Sequence, residues 1–207
     1  MADPDPIPAA FAPDEPAGTV TLGSERGFDG AHLHLRVDRV RLPSGRESVR
    51  EVVEHPGAVA VVGLTEDGEV LLIRQFHHAI GRALLGIPAG TREAGEDAAV
   101  TARRELVEET GYEAAGALRE LAGYFTSPGF TDERMTIYLA RDCRPVGAVA
   151  DPDESILLRR VPVAEVPALV APGAGAIEEG KTLIGLLMLL RVLAEEDGVA
   201  GDGVSCH

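Results

Sequence analysis

Tryptophan is absent and aromatic residues make up only 4% of the 207-residue chain, so any aromatic stacking on a ligand rests on very few positions. The two cysteines, Cys143 and Cys206, lie far apart without a CxxC spacing. This excludes a disulfide framework and a thiolate zinc site, and it predicts a reducing, cytoplasmic setting. Basic residues are scarce, 19 Lys and Arg against 34 Asp and Glu, for a net charge of −15. Nucleic acid is therefore not an expected partner, since phosphate binding needs clustered positive charge. No long apolar run occurs either: the longest, Leu183 to Leu190, falls well short of the roughly 20 residues that span a bilayer. The opening Met-Ala-Asp-Pro-Asp-Pro lacks a signal-peptide pattern, and no membrane partner is expected.

What remains is an acidic chain that is 45% hydrophobic, enough for one good core or a core plus a small accessory unit. Residues 1–17, rich in Pro, Ala and Asp without periodicity, read as a disordered tail. Between Thr19 and His55 polar and apolar residues alternate, with a turn at Pro43-Ser44-Gly45, which predicts half-buried strands. His32 and His34 share one face of such a strand but have no third ligand nearby, so they read as exposed polar positions. Apolar runs at 58–62 and 70–73 flank Asp67-Gly68, a hairpin signal. Further strands are expected at 118–125, 135–140 and 156–163, and an amphipathic helix at about 177–195. The chain thus divides into a strand unit at 18–56, a larger domain at 57–196 and a flexible tail at 197–207. Strands around one central helix, closed by a second, give an α/β (α+β) fold with a mixed β-sheet sandwiched between helices and an N-terminal antiparallel strand unit.

The densest information lies between Gly90 and Tyr112: Gly90, five residues, Glu96, seven residues, then Arg104-Glu105-Leu106-Val107-Glu108-Glu109-Thr110-Gly111-Tyr112. On a helix, residues three and four apart share a face, so Glu105, Glu108 and Glu109 should converge. Such a cluster repels itself unless a hard divalent cation sits within it, and Mg²⁺ and Mn²⁺ are commonly shared between carboxylates and substrate phosphates. Ala99, Ala102 and Leu106 supply an opposite apolar face, and Gly111 supplies a helix stop.

This segment resembles the Nudix box, with Tyr112 where an aliphatic residue is more usual. The resemblance implies a Nudix-type fold and hydrolysis of a nucleoside diphosphate linked to another moiety. It implies Glu105 and Glu109 as principal metal ligands, completed by Glu108, Glu96 and the backbone carbonyl of Ala89, with Mg²⁺ as cofactor and Mn²⁺ as the alternative. Arg104 has no acceptor with which to bind metal, so it would orient the carboxylates and count with Glu108 among the catalytic residues.

Three further segments resemble the ADP-ribose pyrophosphatase subgroup: Ile73-Arg74-Gln75-Phe76-His77-His78 through Gly81-Arg82 to Ile87-Pro88-Ala89-Gly90; Ser127-Pro128-Gly129-Phe130-Thr131-Asp132-Glu133, with Pro128 sixteen residues beyond Tyr112; and Gly180-Lys181-Thr182-Leu183-Ile184. The implied substrate residues are Arg74, Arg82, Pro128, Gly129 and Glu133, with Phe76 and Phe28 as stacking candidates. Gly86 stands where the subgroup usually carries a glutamate, which keeps other nucleoside diphosphate sugars and dinucleotides open as substrates. A non-hydrolysing sensor of the same fold is a further alternative, opposed by the intact glutamate set. The base that activates water would come from the acidic loop at 151–155, Glu154 first, then Asp153, with Glu133 next. The resemblance also implies a homodimer formed through the N-terminal strands.

Overall fold

The computed structural model describes residues 18–93, 95–147, 156–173 and 176–201. The expected tail at 1–17 and the acidic loop with Asp153 and Glu154 lie outside the described residues. Two compact units emerge, one comprising the residues up to Glu54 with Gly129–Thr131, the other beginning at His55.

The first unit is an antiparallel meander of β1 (Val20–Asp29), β2 (His34–Arg41) and β3 (Glu47–Glu54). The β2–β3 register runs unbroken from His34 opposite Glu54 to Arg41 opposite Glu47. The turn between them falls at Pro43-Ser44-Gly45: Gly45 takes φ +83° and its N–H donates to the Leu42 carbonyl at 2.8 Å. Arg26 and Arg36 sit directly opposite one another, a repulsive pairing that Glu54 relieves by accepting from both. Two sequence expectations change here. The strands are less buried than their alternation suggests, β1 being exposed almost throughout, because a three-stranded sheet of this size carries no second layer of its own. His32 precedes β2, so it shares no strand face with His34, which pairs with Asp29 instead.

The second unit is built on an eight-stranded mixed sheet whose spine runs β11 (Ile156–Pro162), β5 (Glu69–His77), β4 (Ala58–Thr65), β10 (Arg134–Pro145), β8 (Tyr112–Ala114). β6 (Arg82–Gly86), β7 (Ala89–Thr91) and β9 (Arg119–Phe125) pair with β5, β4 and β10. The β4–β10 pairing is parallel and the others are antiparallel. β4 is buried over its whole length because both sheet faces are covered. Ala58, Ala60, Val62 and Leu64 enter the core shared with Leu186, Leu189 and Val192 of the C-terminal helix, while Val59 and Val61 enter a second core with Ala102 and Leu106 of the central helix. Asp67-Gly68 forms the β4–β5 hairpin, Gly68 at φ +76°.

The helices are α1 (Ala98–Thr110), the short α2 (Val166–Leu169) and α3 (Gly180–Gly201). α3 continues through residues 197–201, which the sequence reading assigned to a tail. An established helix extends cheaply, and Gly198 costs only about 1 kcal/mol relative to alanine. Cys143 lies buried in the second core, where burial pushes its thiol up to about 11 and makes it a packing residue rather than a nucleophile.

Candidate active site

Local chemistry sets both ends of α1. The Asp97 side chain caps the N-terminus by accepting from the Ala99 N–H at 2.8 Å, and Gly111, at φ 70°, donates to the Val107 carbonyl at 2.8 Å. Ala102 and Leu106 are fully buried, and Ala98 rather than the expected Ala99 packs beside them. That rotation turns Glu105 and Glu109 toward β7. The Ala89 N–H donates to Glu109 Oε2 at 2.8 Å. Glu105 is almost buried, and its carboxylate lies so close to Gly90 that any Cβ there would overlap it. The backbone at Gly90 is not left-handed. Close approach therefore explains the glycine.

Arg104 ties the cluster together. Its Nη1 lies 2.8 Å from Glu105 Oε1 and 2.9 Å from Glu108 Oε2, and its Nη2 lies 3.7 Å from Glu96 Oε2. Burial alone would lower the guanidinium, but the charges of Glu105, Glu108 and Glu96 raise it above its ordinary value. Glu96 is held below the usual carboxylate range by the Thr101 hydroxyl first, then by the Glu93 N–H and Arg104. Glu108 is the outlying member, with a side chain 45% exposed. Among the described residues, no three His, Cys, Asp or Glu side chains are gathered closely enough to hold a cation by themselves. Two inward carboxylates beside a backbone cradle still offer an all-oxygen donor set that fits Mg²⁺, which normally completes its shell with waters and substrate phosphates.

Residues 20–53 match the nucleoside diphosphate sugar hydrolase N-terminal domain, and residues 54–182 match the NUDIX domain, well over half the chain. The chain belongs to the Nudix family. A relative from Bacillus subtilis (strain 168) named ADP-ribose pyrophosphatase is 38% identical over 78% of this chain and 87% of its own length. A Bacillus methanolicus relative named methanol dehydrogenase activator is 38% identical over 82% of this chain and 91% of its own. The structure of an ADP compounds hydrolase superposes with a TM-score of 0.76, covering 89% of this chain and 98% of that one. At 23% identity that likeness bears on the fold, which is the Nudix one. Nudix hydrolases generally need a divalent metal.

The remaining candidate residues of this Nudix hydrolase fall in several places. Arg82, at the start of β6, is engaged bidentately by Glu178 at 2.5 and 2.6 Å. Arg74 and Phe76 are exposed on β5 but lie outside the narrow cleft beside Ala89; Gln75 and His77, which alternate with them along the strand, line it. Phe28 is exposed on β1, 58% accessible. Pro128 and Gly129 occupy an exposed loop between β9 and β10. Glu133, at the end of that loop, accepts from the Thr126 hydroxyl at 2.6 Å and lies 3.9 Å from His55 Nε2. Sequence reasoning named none of the four polar residues of the cleft, Gln75, His77, Glu179 and Lys181, as site residues. Strand alternation from Gly86 could have signalled Gln75 and His77, but nothing local links Glu179 to Gly86, 93 positions earlier.

Proposed function

We propose that this Nudix hydrolase cleaves the diphosphate of ADP-ribose to AMP and ribose 5-phosphate with Mg²⁺, Mn²⁺ being the alternative. The observation that carries the chemistry is the approach of the Glu105 and Glu109 carboxylates to the Ala89–Gly90 backbone. The name of the Bacillus subtilis relative supports the choice of substrate. Bound among Glu105, Glu109, Glu108, Glu96 and the Ala89 carbonyl, the cation would neutralise the diphosphate and acidify a water. Arg104 bridges Glu105 and Glu108 through one guanidinium nitrogen and offsets the repulsion between them. Glu154 takes the proton of the attacking water, with Asp153 and then Glu133 as the alternative bases.

A second reading, hydrolysis of another nucleoside diphosphate sugar, is favoured by Gly86, which removes the subgroup's carboxylate from β6. The reading includes a cytoplasmic homodimer. Val20, Phe28, Leu33 and Val49 of the strand unit are each at least half exposed, which supports pairing through that sheet. The deciding experiment is product release from a panel of ADP-ribose, other nucleoside diphosphate sugars and dinucleotides, with each metal, alongside light scattering. Preferred AMP release from ADP-ribose is the expected outcome. Preference for a different sugar would install the second reading, and no turnover on any compound would remove both.

A further inference from the structure

Gly86, at the end of β6, is buried, and its φ lies outside the left-handed region. Its backbone conformation therefore does not call for glycine. Space does: a Cβ at this position would overlap Glu179 Oε2 and stand 3.2 Å from Thr182 Oγ1. Glu179 reaches this spot from the residue before α3 and is fixed there twice. The Thr182 hydroxyl donates to its Oε2 at 2.7 Å while accepting the Ile87 N–H at 3.0 Å, and Lys181, the only lysine of the chain, pairs with its Oε1. Gln75, His77, Gly86, Ala89, Glu179 and Lys181 line one cleft, and the same Ala89 donates to Glu109. Burial first, then the charges of Glu133 and Glu179, push the Tyr124 phenol up, so both carboxylates act on one phenol.

The Glu179 and Lys181 side chains are only 16% and 18% exposed. A pair so enclosed gains little stability, because desolvation offsets its attraction. A carboxylate offers about four acceptor sites, and two are used here among the described residues. We propose that Glu179 is a specificity residue of the substrate cleft, accepting hydrogen bonds from the sugar hydroxyls of the nucleoside diphosphate substrate, with its carboxylate admitted by the missing side chain at position 86. Lys181 acts as a positioning residue for that carboxylate. The inference rests on the pyrophosphatase reading above and names the residue that recognises the sugar.

The test measures kcat and KM of wild type, E179Q, G86A and the exchange variant G86E/E179G on ADP-ribose and on an ADP ester of a simple alkanol, which keeps the diphosphate and lacks the sugar. E179Q should raise KM for ADP-ribose about 10- to 100-fold, the usual worth of a hydrogen bond to a charged group. KM for the alkyl ester should stay put, and so should Mn²⁺ affinity. G86A should act in the same direction by displacing the carboxylate, and the exchange variant should recover part of the loss. Unchanged KM in an active, folded E179Q would overturn the proposal, as would an equal rise for both substrates. If wild type turns over neither compound, the pyrophosphatase reading falls and takes this one with it. A purely structural Glu179 would instead lower the melting temperature of E179Q and leave the sugar preference intact.

Discussion

Gly90→Ala separates site geometry from fold stability. The added Cβ would coincide with the carboxylate end of Glu105, which is the far end of a flexible side chain, so the chain can yield there without moving β7 or α1. Rotating Glu105 off its preferred rotamer costs about 0.5–1.5 kcal/mol. For a protein of this size that corresponds to a melting-temperature drop of roughly 1–6 °C. Function should suffer far more, because the displaced carboxylate is one of two that face the Ala89–Gly90 backbone. Misplacing a reacting constellation by an ångström costs about 10²-fold in rate, and disturbed metal sites lose about 10- to 100-fold in affinity. Thermal denaturation, calorimetric Mn²⁺ titration and steady-state turnover, run beside Gly116→Ala, where an added Cβ meets nothing within 4 Å, make the comparison. A Gly90→Ala protein with wild-type metal affinity and turnover would refute the assignment of Glu105; one that fails to fold would refute the claim that only a side-chain end is in the way.

Glu154→Gln should lower kcat by about 10²- to 10⁴-fold with KM and metal affinity little changed, and Asp153→Asn should be mild; impairment only in the double variant would mean a shared base, and none at all would move the role to Glu133. Acid should weaken the strand unit. Asp38 is held low by Ser24 and Arg36, and Glu54 by Arg26 and Arg36. Their folded values lie below the unfolded ones, so the stabilisation is present above about pH 4 and lost as pH falls through the folded values. Denaturant unfolding between pH 3 and pH 7 should show that loss in wild type and a smaller one in Arg36→Met; parallel curves would disprove it. Deleting residues 1–17 should be silent, whereas deletion through His55 should give insoluble or monomeric, inactive protein, as read by light scattering and turnover; a soluble, active monomer would sink the dimer.

The α1 region was legible in one dimension because its chemistry is local. A helix period aligns Glu105 with Glu109, Gly111 marks the end, and Ala102 and Leu106 face the core, all within ten positions, whereas the Asp97 cap came only from the structure. The β4–β5 hairpin was readable for the same reason, since Asp67-Gly68 carries its own turn conformation. Exposure of the N-terminal strands was not: alternation shows that a strand has two unlike faces, but whether anything covers the apolar one depends on the other layers. Nor was the role of Gly90, whose reason is a carboxylate fifteen residues away in sequence and touching in space. Gly86 shows the limit most clearly. In the sequence it is a missing carboxylate; in the folded chain Glu179 fills that space, brought there by α3 packing across the sheet. Periodicity and capping act over a few residues and are written in the chain itself, whereas the lining of a cleft depends on which distant segments the core brings together, and that was decided only by the tertiary structure.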